Sequence, residues 1–201
     1  VDMVKSGKRL RDVAESEPGV WAKYHRGLQS LADVLFPPSR VFKRKQVYLL
    51  VGPTGIGKTR WCYENFEDLW RAPPCEEKIQ WYTGFEGQKT ALFDDFRGGF
   101  SYQEALQLCD GYELRVRVKG GFVKWNPEIV IFTSNHEPST WWPVQDLSAF
   151  RRRVTQYKRW NEDLGCYVIE WEDPDMVKVV ENGEICDEEF DELVSGIIRS
   201  E

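Results

Sequence analysis

The chain has little histidine and no paired cysteines. Its two histidines, His25 and His136, lie far apart, and its five cysteines (62, 75, 109, 166 and 186) include no C-x-x-C pair, so no zinc site can be read. An odd cysteine count without a signal peptide fits reduced, intracellular thiols. No apolar run approaches the length of about eighteen residues that a membrane-spanning helix needs, so no membrane partner is expected. Positive charge is not in excess either. The formal net charge of −6 argues against a broad basic face for nucleic acid. The first residue is Val1 rather than Met, which reads as a piece of a longer protein.

What is present changes the meaning of that charge. From Glu172 to Glu201 there are eleven Asp or Glu against Lys178 and Arg199, a net of −9, while residues 1–171 carry 25 basic and 22 acidic side chains. The acidity sits in a tail and the body is near neutral, which leaves room for a small basic contact repeated by oligomerisation. With 201 residues, 41% hydrophobic and 30% charged, the chain suits one ordinary domain with a small appendage. Nine tryptophans are many for this length, and core packing accounts better for most of them than base stacking does.

Three segments follow. In residues 1–38, Val20, Tyr24, Leu28, Leu31 and Leu35 fall at helical spacing and predict one apolar face over 20–35. Glu17-Pro18-Gly19 precedes that helix, Pro37-Pro38 ends it, and a shorter helix is expected around Leu10–Glu15. So small a segment should dock on a neighbour, whether its own body or another subunit. Residues 39–171 alternate strands and helices. Gln46–Val51, Thr90–Phe93 and Ile129–Thr133 suit buried parallel strands; a helix is expected from Thr59 to about Phe66, and Ser101-x-x-Glu104 forms a capping box opening one through Cys109. Glu113–Val118 and Phe122–Trp125 read as a hairpin, with Leu114, Val116 and Val118 on one face and Arg115 and Arg117 on the other. The pattern is α/β, a central parallel sheet flanked by helices. Residues 172–201 form an acidic tail with a short helix near 188–198, either a solvated extension or a partner contact.

The chemistry begins at Gly52-Pro53-Thr54-Gly55-Ile56-Gly57-Lys58-Thr59, which matches G-x-x-x-x-G-K-S/T. Glycines let the backbone N–H groups turn inward onto phosphates, with a helix N-terminus behind them. Lys58 supplies a cation for the β- and γ-phosphates, and the Thr59 hydroxyl helps hold Mg²⁺, which ATP requires for charge neutralisation. Asp94-Asp95 ends the second apolar run, where one carboxylate can position the metal and the other orient or deprotonate water. Asp94 is assigned to the metal together with Thr59. Asn135 ends the third run and can sense the γ-phosphate, since an amide both donates and accepts. Arg151-Arg152-Arg153 is either a solvated charge run or the source of an arginine finger for a neighbouring subunit. Lys119, before Gly120 and Gly121, can track phosphates from a loop tip or simply turn a hairpin, with Phe122 able to stack or pack.

Taken in order, the loop, the Phe93-Asp94-Asp95-Phe96 box, Val118-Lys119-Gly120-Gly121, Thr133-Ser134-Asn135-x-x-Pro138-x-x-Trp141 and the downstream arginines resemble one family. It is the superfamily 3 helicase domain, AAA+-like, of the replication-initiator proteins of small circular single-stranded DNA viruses, with circoviruses nearest. The likeness covers about residues 45–160, and the N-terminal helices resemble the family's oligomerisation segment. It implies a P-loop NTPase fold, ATP and Mg²⁺ as cofactors, a homo-oligomeric ring with six members expected, and single-stranded DNA as partner in the host nucleus. By the same resemblance Lys58 and Thr59 are the Walker A pair, Asp94 and Asp95 the Walker B acids and Asn135 the sensor. Arg152 and Arg153 align with the family's arginine pair, and Arg151 departs from its usual aromatic or apolar residue. Lys119, with Gly120, Phe122 and Arg117 beside it, resembles the hairpin that holds DNA in the ring's channel. The family's nicking endonuclease motifs are not found in this chain. Two other readings stay open: an RNA-virus-type superfamily 3 ATPase, and an ATP-dependent ring that only binds partners.

Overall fold

Five of the six residues of β1 (Gln46–Val51), placed after the helices α1 (Asp2–Lys5), α2 (Leu10–Ser16) and α3 (Pro18–Leu35), are buried, as a strand with neighbours on both edges requires. The computed structural model describes residues 1–173 except Val144; the helix expected near 188–198 lies outside the described residues. After β1 come α4 (Lys58–Asn65), β2 (Leu69–Arg71), β3 (Thr90–Phe93), α5 (Tyr102–Leu108), the hairpin β4 (Leu114–Val118) and β5 (Gly121–Trp125), and β6 (Ile129–Ser134). A 3-10 turn (Pro138–Thr140), α6 (Ser148–Arg151), β7 (Gln156–Asn161) and β8 (Cys166–Glu172) complete the described fold. The main sheet has the order β2-β3-β6-β1-β7-β8, parallel throughout except for the antiparallel edge strand β8. This is the expected α/β architecture.

Strand alternation divides the interior into two layers. Val47, Leu49, Phe93, Val130 and Phe132 point to one face, where α5, the hairpin and an aromatic cluster cover them. Tyr48, Leu50, Leu92 and Ile131 point to the other, against Trp61 and Cys62 of α4. Five tryptophans (61, 70, 125, 141 and 142) are buried and the other four are half-buried, so core packing is their main use. The indoles keep their polar edges satisfied: Trp125 Nε1 donates to the Leu108 carbonyl at 3.0 Å and Trp142 Nε1 to that of Phe100 at 2.9 Å.

Three expectations change. The N-terminal segment has three helices and a small core of its own, Val4, Val13 and Leu28, with Trp21, Leu31 and Ala32 packed on it. The stripe predicted along 20–35 is therefore split. Leu28 and Leu31 turn inward, whereas Val20, Tyr24 and Leu35 are exposed. At α5 only half of the capping box forms: Ser101 Oγ accepts from the Glu104 N–H at 3.1 Å, but the Glu104 carboxylate accepts from the Tyr82 hydroxyl at 2.9 Å instead of folding back. Finally, Glu172 lies in β8 and the Asp173 N–H just after it donates to the Thr155 carbonyl at 2.8 Å, so the first acid counted with the tail sits in the sheet and the second is tied to it.

Candidate nucleotide site and nucleic-acid hairpin

Parallel strands place their C-terminal ends on one edge of a sheet, where the next residues of β1, β3 and β6 meet. The Gly52–Thr59 loop leaves β1 there and feeds α4, with Lys58 and Thr59 as the helix's first two residues. Gly55 and Gly57 have φ of +88° and +89°, a conformation glycine adopts without strain. Gly52 is required for space, because a Cβ would meet Trp160 Cβ at 2.5 Å. Pro53, Thr54 and Gly55 are exposed, Ile56 is half-buried, and the Gly55, Ile56 and Gly57 N–H groups have no partner among the described residues. Free donors ahead of a helix N-terminus form a seat for an anion.

Lys58 reaches back across this loop. Its Nζ donates to the carbonyls of Gly52 at 2.8 Å and Pro53 at 2.6 Å, and to Asn135 Oδ1 at 2.8 Å. Burial pulls the lysine below its ordinary range, while the nearby Asp95 and Asp94 oppose that shift. Asn135 Nδ2 then donates to Asp95 Oδ1 at 3.1 Å. Beside it the Thr59 hydroxyl donates to Asp94 Oδ1 at 2.7 Å. Lys58, Thr59, Asp94, Asp95 and Asn135, drawn from three segments of the sequence, thus form two adjoining hydrogen-bonded sets, Lys58–Asn135–Asp95 and Thr59–Asp94. Thr59 can donate its proton to Asp94 while its lone pairs remain available, and an oxygen-only pair of this kind fits a hard divalent cation.

Sequence reasoning missed the residues that hold this set in place. Thr133 follows the β6 residue paired with Phe93, so its hydroxyl lies between the two acids: it donates to Asp94 Oδ1 at 2.6 Å and accepts from the Asp95 N–H at 3.0 Å. Its place before Ser134-Asn135 was the available signal. Arg71 Nη2 donates to Asp94 Oδ2 at 2.5 Å and Arg97 Nη2 to Asp95 Oδ2 at 2.8 Å. Nothing in a three-residue strand flagged Arg71. Asp95 takes a φ of +50°, and Gly98, with φ +77°, passes so close to Trp141 that a Cβ would lie 2.1 Å from its carbonyl oxygen.

The three arginines are not brought to this network. They precede β7, whose first residue Gln156 aligns with Tyr48, and Thr155 just before it bonds Val47, at the end where β1 begins. From Val47 to Gly52 the strand rises about 16 Å. Arg153 is anchored inward, donating to the Ala149 carbonyl and to Asp110 Oδ2, each at 2.7 Å. Arg151 lies over the Trp171 ring at 5.8 Å. Arg152 is exposed and has no polar partner among the described residues.

The hairpin is a separate two-stranded sheet whose ends differ. At its base, Lys124 pairs with Glu113 at 2.9 Å and Arg115 donates to the Asp33 carbonyl of α3 at 2.7 Å. Near the tip, Arg117 and Phe122 are cross-strand neighbours, both exposed, and Lys119-Gly120 turns the chain with Gly120 at φ +99°. Neither Arg117 nor Lys119 has an ion-pair partner among the described residues.

A loop closing on a helix-borne lysine, with acids and an amide at adjacent parallel strand ends, defines a P-loop NTPase-like domain. An RNA helicase family model matches residues 48–136, which take in the loop, both acids and Asn135. The chain is 35% identical over 160 residues to the replication-associated protein of Goose circovirus, covering 77% of this chain and 52% of that protein. It is 35% identical over 164 residues to that of Beak and feather disease virus (81% and 55%) and 33% over 165 residues to that of Porcine circovirus 2 (79% and 51%). The chain belongs to the viral replication-associated proteins and carries their superfamily 3 helicase-type domain. It spans about half the length of the curated relatives it matches.

Proposed function

We propose that this domain hydrolyses ATP at the subunit interfaces of a homo-oligomeric ring, a hexamer, and uses the cycle to move on single-stranded DNA during viral replication in the host nucleus. The observation that carries the reading is the hydrogen-bonded convergence of Lys58, Thr59, Asp94, Asp95 and Asn135 at the end of β1. The free N–H groups of the loop would receive the phosphates, and Lys58 would exchange the Gly52 and Pro53 carbonyls for phosphate oxygens. Thr59 and Asp94 would hold Mg²⁺, which when bound neutralises phosphate charge. Asn135, already bonded to Asp95, would orient the attacking water, and the Asp95 carboxylate would accept its proton.

The arginines stand at the far end of β1, so none is placed to complete its own subunit's site. Arg152, exposed and without a polar partner, is our choice for the finger offered to the next subunit. The exposed Val20, Tyr24 and Leu35 of α3 supply an apolar surface for ring contacts. Lys119, Arg117 and Phe122 would face DNA in the channel, where six copies concentrate charge that one subunit lacks.

Mixing two inactive variants tests the shared site. Lys58→Ala and Arg152→Ala should each lose more than about a hundredfold in turnover, and mixed rings should recover activity. Full turnover by Lys58→Ala, or no recovery at any mixing ratio, would reject this assignment. Stimulation by DNA rather than RNA oligonucleotides is expected in the same assay.

A further inference from the structure

Asp94 and Asp95 each carry an arginine from their own chain, but the two pairs are not equivalent. Arg97 and Asp95 are both open to solvent, with side chains 58% and 52% exposed. Water screens such a pair and competes with it. Arg71 is similarly open at 52%, but its partner Asp94 is only 9% exposed. A carboxylate withdrawn that far from water needs compensation from the protein. Asp94 obtains it from two hydroxyls on Oδ1, those of Thr59 and Thr133, and from Arg71 on Oδ2. Of these three donors only Arg71 is charged; the Lys58 ammonium acts on Asp94 from nearby without a hydrogen bond to it.

Arg71 is also placed to leave. It ends β2, the sheet's edge strand, and its side chain lies in an open cleft of about 640 Å³ shared with both acids. A metal held by Thr59 would draw on the same Asp94 carboxylate, whose outward oxygen the guanidinium already occupies.

We propose that Arg71 is a positioning residue that stands in for the metal. It compensates Asp94 while the site is without metal and nucleotide, and it releases Oδ2 when the metal seats. Arg71 and the metal therefore compete for one carboxylate, and the arginine sets how much the metal adds to nucleotide affinity. This rests on the nucleotide-site reading above.

The test is the binding of a fluorescent, non-hydrolysable ATP analogue, with EDTA and then with saturating Mg²⁺. The ratio of the two dissociation constants measures the metal's contribution without using turnover. In Arg71→Ala that ratio should grow roughly three- to tenfold, while Arg71→Lys, which keeps a cation, should stay within about twofold of wild type. Arg97→Ala removes an equal charge at the solvated acid and should change the ratio less than Arg71→Ala does. Thermal melting would establish that each variant is folded. An unchanged or smaller ratio in folded Arg71→Ala, or an equal rise in Arg97→Ala, would overturn the proposal. An equal loss of binding by Arg71→Ala in EDTA and in Mg²⁺ would do so too, since it would make Arg71 a phosphate ligand. Failure of the wild type to bind the analogue would instead reject the nucleotide site itself, and this inference with it.

Discussion

The P-loop end of the sheet and the tip of the β4–β5 hairpin are built on opposite terms. At the first, every expected side chain from Lys58 to Asn135 is already bonded to another, and Thr133 fixes the spacing of the two acids. At the second, Arg117, Lys119 and Phe122 are exposed, with no ion pair among the described residues, on a turn that requires glycine at 120. Rearranging bonds around a phosphate demands geometry settled in advance. Gripping a polymer's phosphates demands charge and freedom to follow. The contrast teaches that residues of one function can be recognised by how differently they are restrained.

That contrast can be broken by experiment, beginning where the largest change is expected. Thr133→Val keeps the shape and removes both hydroxyl bonds, so ATP turnover should fall about a hundredfold with little loss of DNA affinity. If turnover held within twofold, the network would not depend on that spacing. Gly98→Ala forces a methyl group onto the Trp141 carbonyl next to the network and should lower stability by about 2–3 kcal/mol in denaturant unfolding. At the tip the pattern should invert. Lys119→Ala should leave turnover without DNA unchanged, weaken single-stranded DNA binding about fivefold and flatten its salt dependence. Lys124→Ala, an equal charge change at the paired base of the hairpin, should alter DNA binding by less than about twofold. Equal losses at 119 and 124 would mean that net charge, not the tip, governs binding.

What could be read in advance followed from how far each feature depends on neighbours in sequence. Gln46–Val51, Thr90–Phe93 and Ile129–Ser134 are continuous apolar runs because both faces are covered, and each was legible as a buried strand. β7 was not, since Gln156–Asn161 carries Lys158 and Arg159, and its burial comes from pairing with β1 and β8. The α3 stripe misled because two sets of apolar residues share the helix, and only contact with Val4 and Val13 decides which is covered. In the site, the loop and the acids announce themselves by local pattern. Arg71 and Thr133 do not, because their value arises only when β2 and β6 flank β3.

One modest ion pair has a mechanical consequence. Arg153, adjacent to Arg152, grips Asp110, and Asp110 stands four residues before Leu114, where the hairpin starts. Lys45, just ahead of β1, clasps the carbonyl of the same aspartate. Asp110 therefore ties the arginine turn, the start of β1 and the approach to the hairpin to one another. In the proposed ring, a pull on Arg152 from the next subunit's nucleotide would reach the hairpin by way of Arg153 and Asp110.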